Sequence, residues 1–243
     1  METKQLGDGT YHGESVGGKA NGKGSWTGKP DSKFAGSQYA GTFKDDCFFS
    51  GKYIMRNGAR YEGEWCVDPS DIYSLGLKHG KGTYTAPDKA IYEGQYSEGK
   101  KHGEGTYKYA SGAVYIGAWE GNSKHGVGRF HYENGDVYSG DWELNKQHGE
   151  GEFKYTNGNH FKGGFENGKY HGTGSFVHAN GGTYEGGWVK GARHGQARMT
   201  WGRGGSAKFV GEFQNGKRNG EGAYTNVKGV TVKGVWKDDK QIK

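Results

Sequence analysis

The chain has 243 residues, of which 50 are glycine and only three proline, with 25% charged residues and a formal net charge of +6. A mean hydropathy of −1.00 excludes a conventional Leu/Ile/Val core, and the scarcity of proline argues against a Gly/Pro-type linker. Surface must be buried by rings instead: 17 Tyr, 11 Phe and 7 Trp, each able to cover ~150 to 250 Å².

The N-terminus, METKQLGDGT, carries no apolar signal stretch, and no window approaches the ~18 to 20 apolar residues of a membrane helix. A cytoplasmic protein is expected. Cys47 and Cys66 stand alone without a CxxC spacing, so neither a disulfide framework nor a zinc ribbon is expected.

Residues 1–10 read as a lead-in, and residues 11–243 as a repeat array. An aromatic, a glycine and a second aromatic recur at i, i+2 and i+4: Tyr39-Gly41-Phe43, Tyr61-Gly63-Trp65, Tyr92-Gly94-Tyr96, Tyr115-Gly117-Trp119, Tyr138-Gly140-Trp142, Phe161-Gly163-Phe165, Tyr184-Gly186-Trp188 and Phe209-Gly211-Phe213. Degenerate copies start at Tyr11 and Val232, and the basic period is 23 residues. Spacing by two places these residues on one face of a strand, not of a helix. Six residues past the second aromatic comes His-Gly-x-Gly, at His79, His102, His125, His148, His171 and His194, with Asn21 and Asn219 substituting. A second strand follows, again with glycines and aromatics on one face, as in Gly103, Gly105, Tyr107 and Tyr109.

The connections carry turn chemistry. Gly18, Asp46, Asp68, Gly99, Asn122, Asn145, Gly168, Gly191, Gly216 and Asp239 occupy one repeated turn position, and all tolerate positive φ. The other connection holds Asn57-Gly58, Asn134-Gly135, Asn157-Gly158 and Asn180-Gly181, a strong hairpin signal. The pattern predicts an all-β fold: an elongated, single-layer antiparallel meander of about ten hairpins, a solenoid spanning roughly 95 Å at ~4.8 Å per strand.

These units resemble MORN repeats (membrane occupation and recognition nexus), whose pattern YxGxWxxGKxHGxG is met nearly in full by Tyr92 to Gly105 and Phe161 to Gly174. The resemblance implies a non-catalytic protein-binding scaffold of a cytoskeletal assembly, above all the ciliary or flagellar axoneme, where radial spoke head components are similar. Ser15, Phe49, Ala197 and Val232 depart from the pattern, so their units should be irregular.

Three insertions break the period, near 27–38, 66–78 and 203–207. The largest brings Ile72, Tyr73, Leu75 and Leu77 together, either as a partner-docking knob or as a loop folded over its own sheet. The turn flanks carry Lys52, Lys78, Lys100, Lys101, Lys124, Lys146, Lys169, Arg193, Lys217 and Arg218, expected to form a basic ladder along one edge. It would meet an acidic protein or anionic lipid headgroups, or it keeps an edge-rich sheet soluble. Val232 and Trp236 lie on a last strand expected to leave an unpaired edge, open to a second copy or a partner strand.

No cofactor is expected. The recurring histidines would lie ~10 Å apart, too far to share a zinc ion, and the GxG stripes lack the strand-to-helix context of a phosphate loop. Nucleic acid is not expected either, because the rings are needed as the core. The alternative to the scaffold is a peripheral membrane adaptor binding anionic phospholipids, although neither a myristoylation start nor a CaaX ending supports it.

Overall fold

Alternating small and aromatic residues at a spacing of two produce strands throughout the computed structural model, which describes residues 1–67, 76–204 and 207–243. No helix forms among them. The chain divides into two units, Met1–Ser123 and Lys124–Lys243.

In the first unit, β1 (Glu2–Leu6), β2 (Gly9–Val16), β3 (Lys19–Gly28), β4 (Gln38–Lys44), β5 (Cys47–Ile54), β6 (Arg60–Cys66), β7 (Leu77–Thr85), β8 (Ile91–Ser97), β9 (Lys100–Lys108) and β10 (Val114–Glu120) follow in order. Each pairs antiparallel with the next. The lead-in residues therefore belong to the sheet: Glu2 faces Gly13 and Leu6 faces Gly9.

The second unit repeats the arrangement. It comprises β11 (Ser123–His131), β12 (Val137–Glu143), β13 (Lys146–Lys154), β14 (His160–Glu166), β15 (Lys169–Val177), β16 (Thr183–Val189), β17 (Ala192–Trp201), β18 (Ala207–Gln214), β19 (Lys217–Thr225), β20 (Thr231–Lys237) and β21 (Lys240–Gln241). These too pair in sequence order, antiparallel. Both units are single-layer meanders, and one face of the layer is the core.

A row of glycines crosses the strands. In the first unit Gly51 faces Gly63, Gly63 faces Gly82, Gly82 faces Gly94 and Gly94 faces Gly105. The row exists because the first tyrosine of each hairpin lies across it: a Cβ at Gly82 would stand 2.3 Å from the Tyr61 hydroxyl oxygen and 2.5 Å from its ring. Ala197 is the one exception in the second unit's row, between Gly186 and Gly211.

Eight hairpins also contain a bulge, which explains His-Gly. Gly63 faces Gly82, but the next residue, Glu64, faces His79, so Gly80 and Lys81 have no opposite residue. Gly80 takes φ +58° there, a conformation cheap only for glycine. The groups freed by the bulge are answered locally. Tyr61 donates its hydroxyl to the Glu64 carbonyl (2.9 Å), and the Glu64 carboxylate accepts the Lys81 amide (3.2 Å). Tyr92 with Gln95, and Tyr138 with Asp141, repeat both contacts.

The two turn types differ from one another. At the first, adjacent residues both have positive φ, as Leu144 (47°) and Asn145 (70°) do, giving the mirror-image turn that suits a twisted hairpin. The Asn-Gly connections are hairpins as expected but of another type. Only the glycine has positive φ (Gly58, 85°), its amide bonds to the Met55 carbonyl, and the Asn57 side chain accepts the Ala59 amide.

Successive hairpins are stitched at the first turn. The Asn122 amide donates to the Lys101 carbonyl (3.0 Å) while its side-chain oxygen accepts the Lys101 amide (2.9 Å), and Asn145 does the same with Lys124.

Candidate functional site: the two faces of the sheet

The aromatic face is built from perpendicular ring pairs. Tyr61 meets Trp65 at 5.0 Å, Tyr115 meets Trp119 at 5.1 Å and Tyr138 meets Trp142 at 5.2 Å, each edge to face, the arrangement that ring quadrupoles favour. Several indole N–H groups bond to backbone carbonyls, Trp142 to Gly128 (3.1 Å) and Trp188 to Gly174 (3.3 Å). Loss of water pushes buried phenols up, Tyr39 and Tyr184 to about 12, so these rings are uncharged hydrogen-bond donors.

The expected single ladder of cations divides between the two sides. Strand side chains alternate, so Lys100 and Lys101 cannot share a face. Lys101 turns inward, with Nζ 4.4 Å from the Tyr107 ring and 4.3 Å from Trp119. Lys124 lies over Phe130 and Trp142, Arg193 over Tyr184 and Phe213, and Arg218 over Trp201 and Phe209. Lys78 does the same over Tyr84 at 4.1 Å. Lys100, Lys146, Lys169 and Lys217 stay exposed, Lys217 paired with Asp238 at 3.1 Å.

The inward position is the residue immediately before His-Gly or Asn-Gly. Along the chain it reads Lys78, Lys101, Lys124, Gln147, Tyr170, Arg193 and Arg218, the one variable residue that each hairpin adds to the aromatic face. Partial burial lowers Lys78 and Lys101 to about 8, and for Lys78 the nearby Lys101 charge adds to this. Where the position is neutral, a cavity of about 260 Å³ opens among Gln147, Phe153, Tyr155, Phe165 and Tyr170, and the Tyr155 and Tyr170 hydroxyls bond to each other.

The opposite face is polar, and the glycine row runs along it as a trough. In the first unit Lys81, Thr83, Glu93, Gln95, Glu104 and Thr106 flank Gly82, Gly94 and Gly105 around a volume of about 700 Å³. In the second, Gln196, Val210, Glu221 and Lys233 flank Gly211, Gly222 and Gly234 around about 550 Å³. This trough was not anticipated from the sequence; the glycine backbones form its floor and the side chains at the alternate positions form its walls.

Of the insertion residues, Leu77 is half-buried in β7, opposite Cys66; Ile72, Tyr73 and Leu75 lie outside the described residues. The 29–37 insertion folds back on its own sheet, Phe34 meeting Trp26 edge to face at 5.9 Å. The Trp236 side chain belongs to the core. It is 3% exposed and packs on Phe209 at 5.0 Å, because it takes the second-aromatic place on the core face. Val232 is 44% exposed. The outer edge of β20 is occupied in part, since Trp236 and Lys237 face Gln241 and Lys240, and Val235 exchanges backbone bonds with Ile242 and Lys243.

Among the described residues no His, Cys, Asp and Glu converge on a metal-sized site. His148 instead lies 3.2 Å from Glu143 and His160 2.8 Å from Glu152.

A family model described as MORN repeat matches residues 11–32, 72–90, 92–114, 115–137, 138–160, 161–183, 184–206 and 209–231. It passes over residues 33–71, where β4 to β6 nevertheless continue the glycine row. No curated protein matches the chain. Among solved structures it is similar to the TCP domain of SAS-4 (dCPAP) of Drosophila melanogaster, in complex with a proline-rich motif of Ana2. That match has 11% identity over 65% of this chain and 85% of that one, with a TM-score of 0.40. It is also similar to the TCP10 domain of CPAP from Danio rerio, at 11% identity over 78% and 95%, with a TM-score of 0.27.

Proposed function

Since the chain belongs to the MORN-repeat family, we propose that it is a non-catalytic scaffold that holds other proteins along its sheet faces in a cytoskeletal assembly, such as a ciliary or flagellar axoneme. The observation that carries the reading is the glycine trough. It is an open groove of about 700 Å³ lined by carboxylates, an amide, hydroxyls and one lysine, a surface suited to a polypeptide and lacking a nucleophile paired with a base. Repetition favours the same conclusion. A reaction needs one unique constellation, whereas here tyrosine, histidine and carboxylate recur from hairpin to hairpin in equivalent places.

The axonemal assignment rests on the resemblance to radial spoke components, and its test is fractionation. The tagged protein should stay with the detergent-insoluble cytoskeleton and should not sediment with phosphoinositide liposomes at ~150 mM salt, where surface charge is screened beyond ~8 Å. The second reading, a membrane adaptor, draws on the exposed lysines Lys100, Lys146, Lys169 and Lys217. Liposome binding that vanishes when these four are reversed to Glu would establish it and displace the scaffold.

A further inference from the structure

We propose that Lys78 and Lys101 form a two-point site for an acidic, extended protein segment lying across the strands of the aromatic face, one carboxylate meeting each ammonium. The proposal rests on the scaffold reading and names what one part of the scaffold binds.

Among the described residues neither lysine is paired with a carboxylate, and each ammonium lies over rings. In the second unit the inward arginines are answered by oxygen: Arg218 Nε lies 3.2 Å from the Asp239 carboxylate, and Arg193 donates to the Gly216 carbonyl at 2.8 Å. Among the described residues, Lys78 Nζ lies over rings, Tyr84 at 4.1 Å, Tyr61 at 5.3 Å and Tyr96 at 5.7 Å. Lys101 Nζ has Trp119 at 4.3 Å, Tyr107 at 4.4 Å and Tyr92 at 5.5 Å. In the hairpin of Lys101, Glu93 and Glu104 line the trough on the other face. A half-buried ammonium without an anion is costly, and the face of an aromatic ring answers it only in part.

Spacing selects the occupant. Lys78 is on β7 and Lys101 on β9, two strands apart, so the charges repeat at ~10 Å across the sheet. One phosphate cannot span that distance, and no arginine fork or nest of amides converges to hold it. In a polyproline II segment, residues three apart lie on the same side and advance ~9.3 Å. In a β-strand, residues three apart face opposite ways. A segment with a carboxylate at every third residue therefore matches the lysines, and the partly exposed rings of Tyr84, Tyr107 and Tyr109 offer surfaces on which proline packs.

The test is fluorescence anisotropy of a labelled (Glu-Pro-Pro)n peptide, n about 4, against the full chain at ~50 mM salt. Saturable binding is expected, weakened about tenfold or more in the Lys78→Met/Lys101→Met double variant, where the methionine stems keep the rings covered. Lys100→Met, on the opposite face, should change affinity less than about twofold. A peptide of the same composition with its glutamates adjacent should bind more weakly. A urea midpoint confirms that each variant is folded. The proposal is overturned by no binding up to ~1 mM peptide, by equal loss in Lys100→Met, by indifference to glutamate spacing, or by a double variant that loses phosphoinositide vesicles while keeping the peptide. Retention in the cytoskeletal pellet despite any of these results leaves the scaffold standing and removes only this site.

Discussion

Tyr138 gives its hydroxyl proton to the carbonyl oxygen of Asp141, three residues on and 2.9 Å away, while the Asp141 carboxylate takes the Glu150 amide on the neighbouring strand at 3.1 Å. The ring fills the core and its oxygen closes the bulge, two tasks that phenylalanine cannot combine. Tyr138→Phe should therefore leave a buried carbonyl under-satisfied and cost about 1 to 2 kcal/mol in urea unfolding. Phe161 already lacks the hydroxyl, so Phe161→Tyr should be neutral or stabilising. A cost below ~0.3 kcal/mol for Tyr138→Phe would show that the bulge does not depend on the phenol.

The glycine row should resist even one methyl group. Gly151→Ala places a Cβ 2.5 Å from the Tyr138 hydroxyl oxygen and 2.6 Å from its ring, and overpacking of this kind costs roughly 1 to 3 kcal/mol. Ala197→Gly, at the one place where the row already holds alanine, should cost less. Thermal unfolding of the two variants side by side decides the matter, and equal losses would mean the row is not a steric requirement.

Leu144 is 71% exposed and sits at φ +47°, which an unbranched or β-branched side chain alike adopts only with strain. Leu144→Asn keeps the turn and removes most of that strain, so it should stabilise by about 0.5 to 1 kcal/mol, read as a higher urea midpoint with unchanged m-value.

Burial lowers Lys101 to about 8 in the folded chain, from 10.5 for a free lysine. Between those pH values the unfolded state binds more protons, so this group makes stability rise with pH from ~8 to ~10. The raised phenols, Tyr39 and Tyr184 among them, act in the opposite sense only above ~10. Wild type should thus gain on Lys101→Met across pH 8 to 10 in parallel urea titrations. A constant difference would place the ammonium in water.

The hairpins could be read from the sequence because their signals are local: i, i+2, i+4 spacing fixes the strand face, and Asn-Gly and the repeated Gly, Asn or Asp turn position fix where the chain reverses. The first strand could not, since Glu2–Leu6 has neither an aromatic nor a glycine to mark it and is held by pairing with β2. The cations were misassigned for a different reason. Lysine spacing alone reports position along the repeat, whereas strand alternation, with Lys101 facing Tyr96 and in phase with Tyr107, sends Lys101 inward and Lys100 outward. The trough was invisible because its floor is glycine backbone and its walls are the side chains at the alternate positions, which only register brings into line.

Asn122 and Asn145 each take both backbone groups of one residue in the preceding hairpin, 21 positions earlier. Each turn thus answers to its immediate neighbour and to nothing more distant. Gain or loss of one complete 23-residue copy preserves every such contact, the left-right alternation and the register of the glycines. Gain or loss of a single strand reverses chain direction and breaks all three. The hairpin is therefore the smallest step by which a gene of this kind can lengthen or shorten its product, and the pairs of inward residues that face a binding partner can be added, removed or reordered in the same indivisible increments.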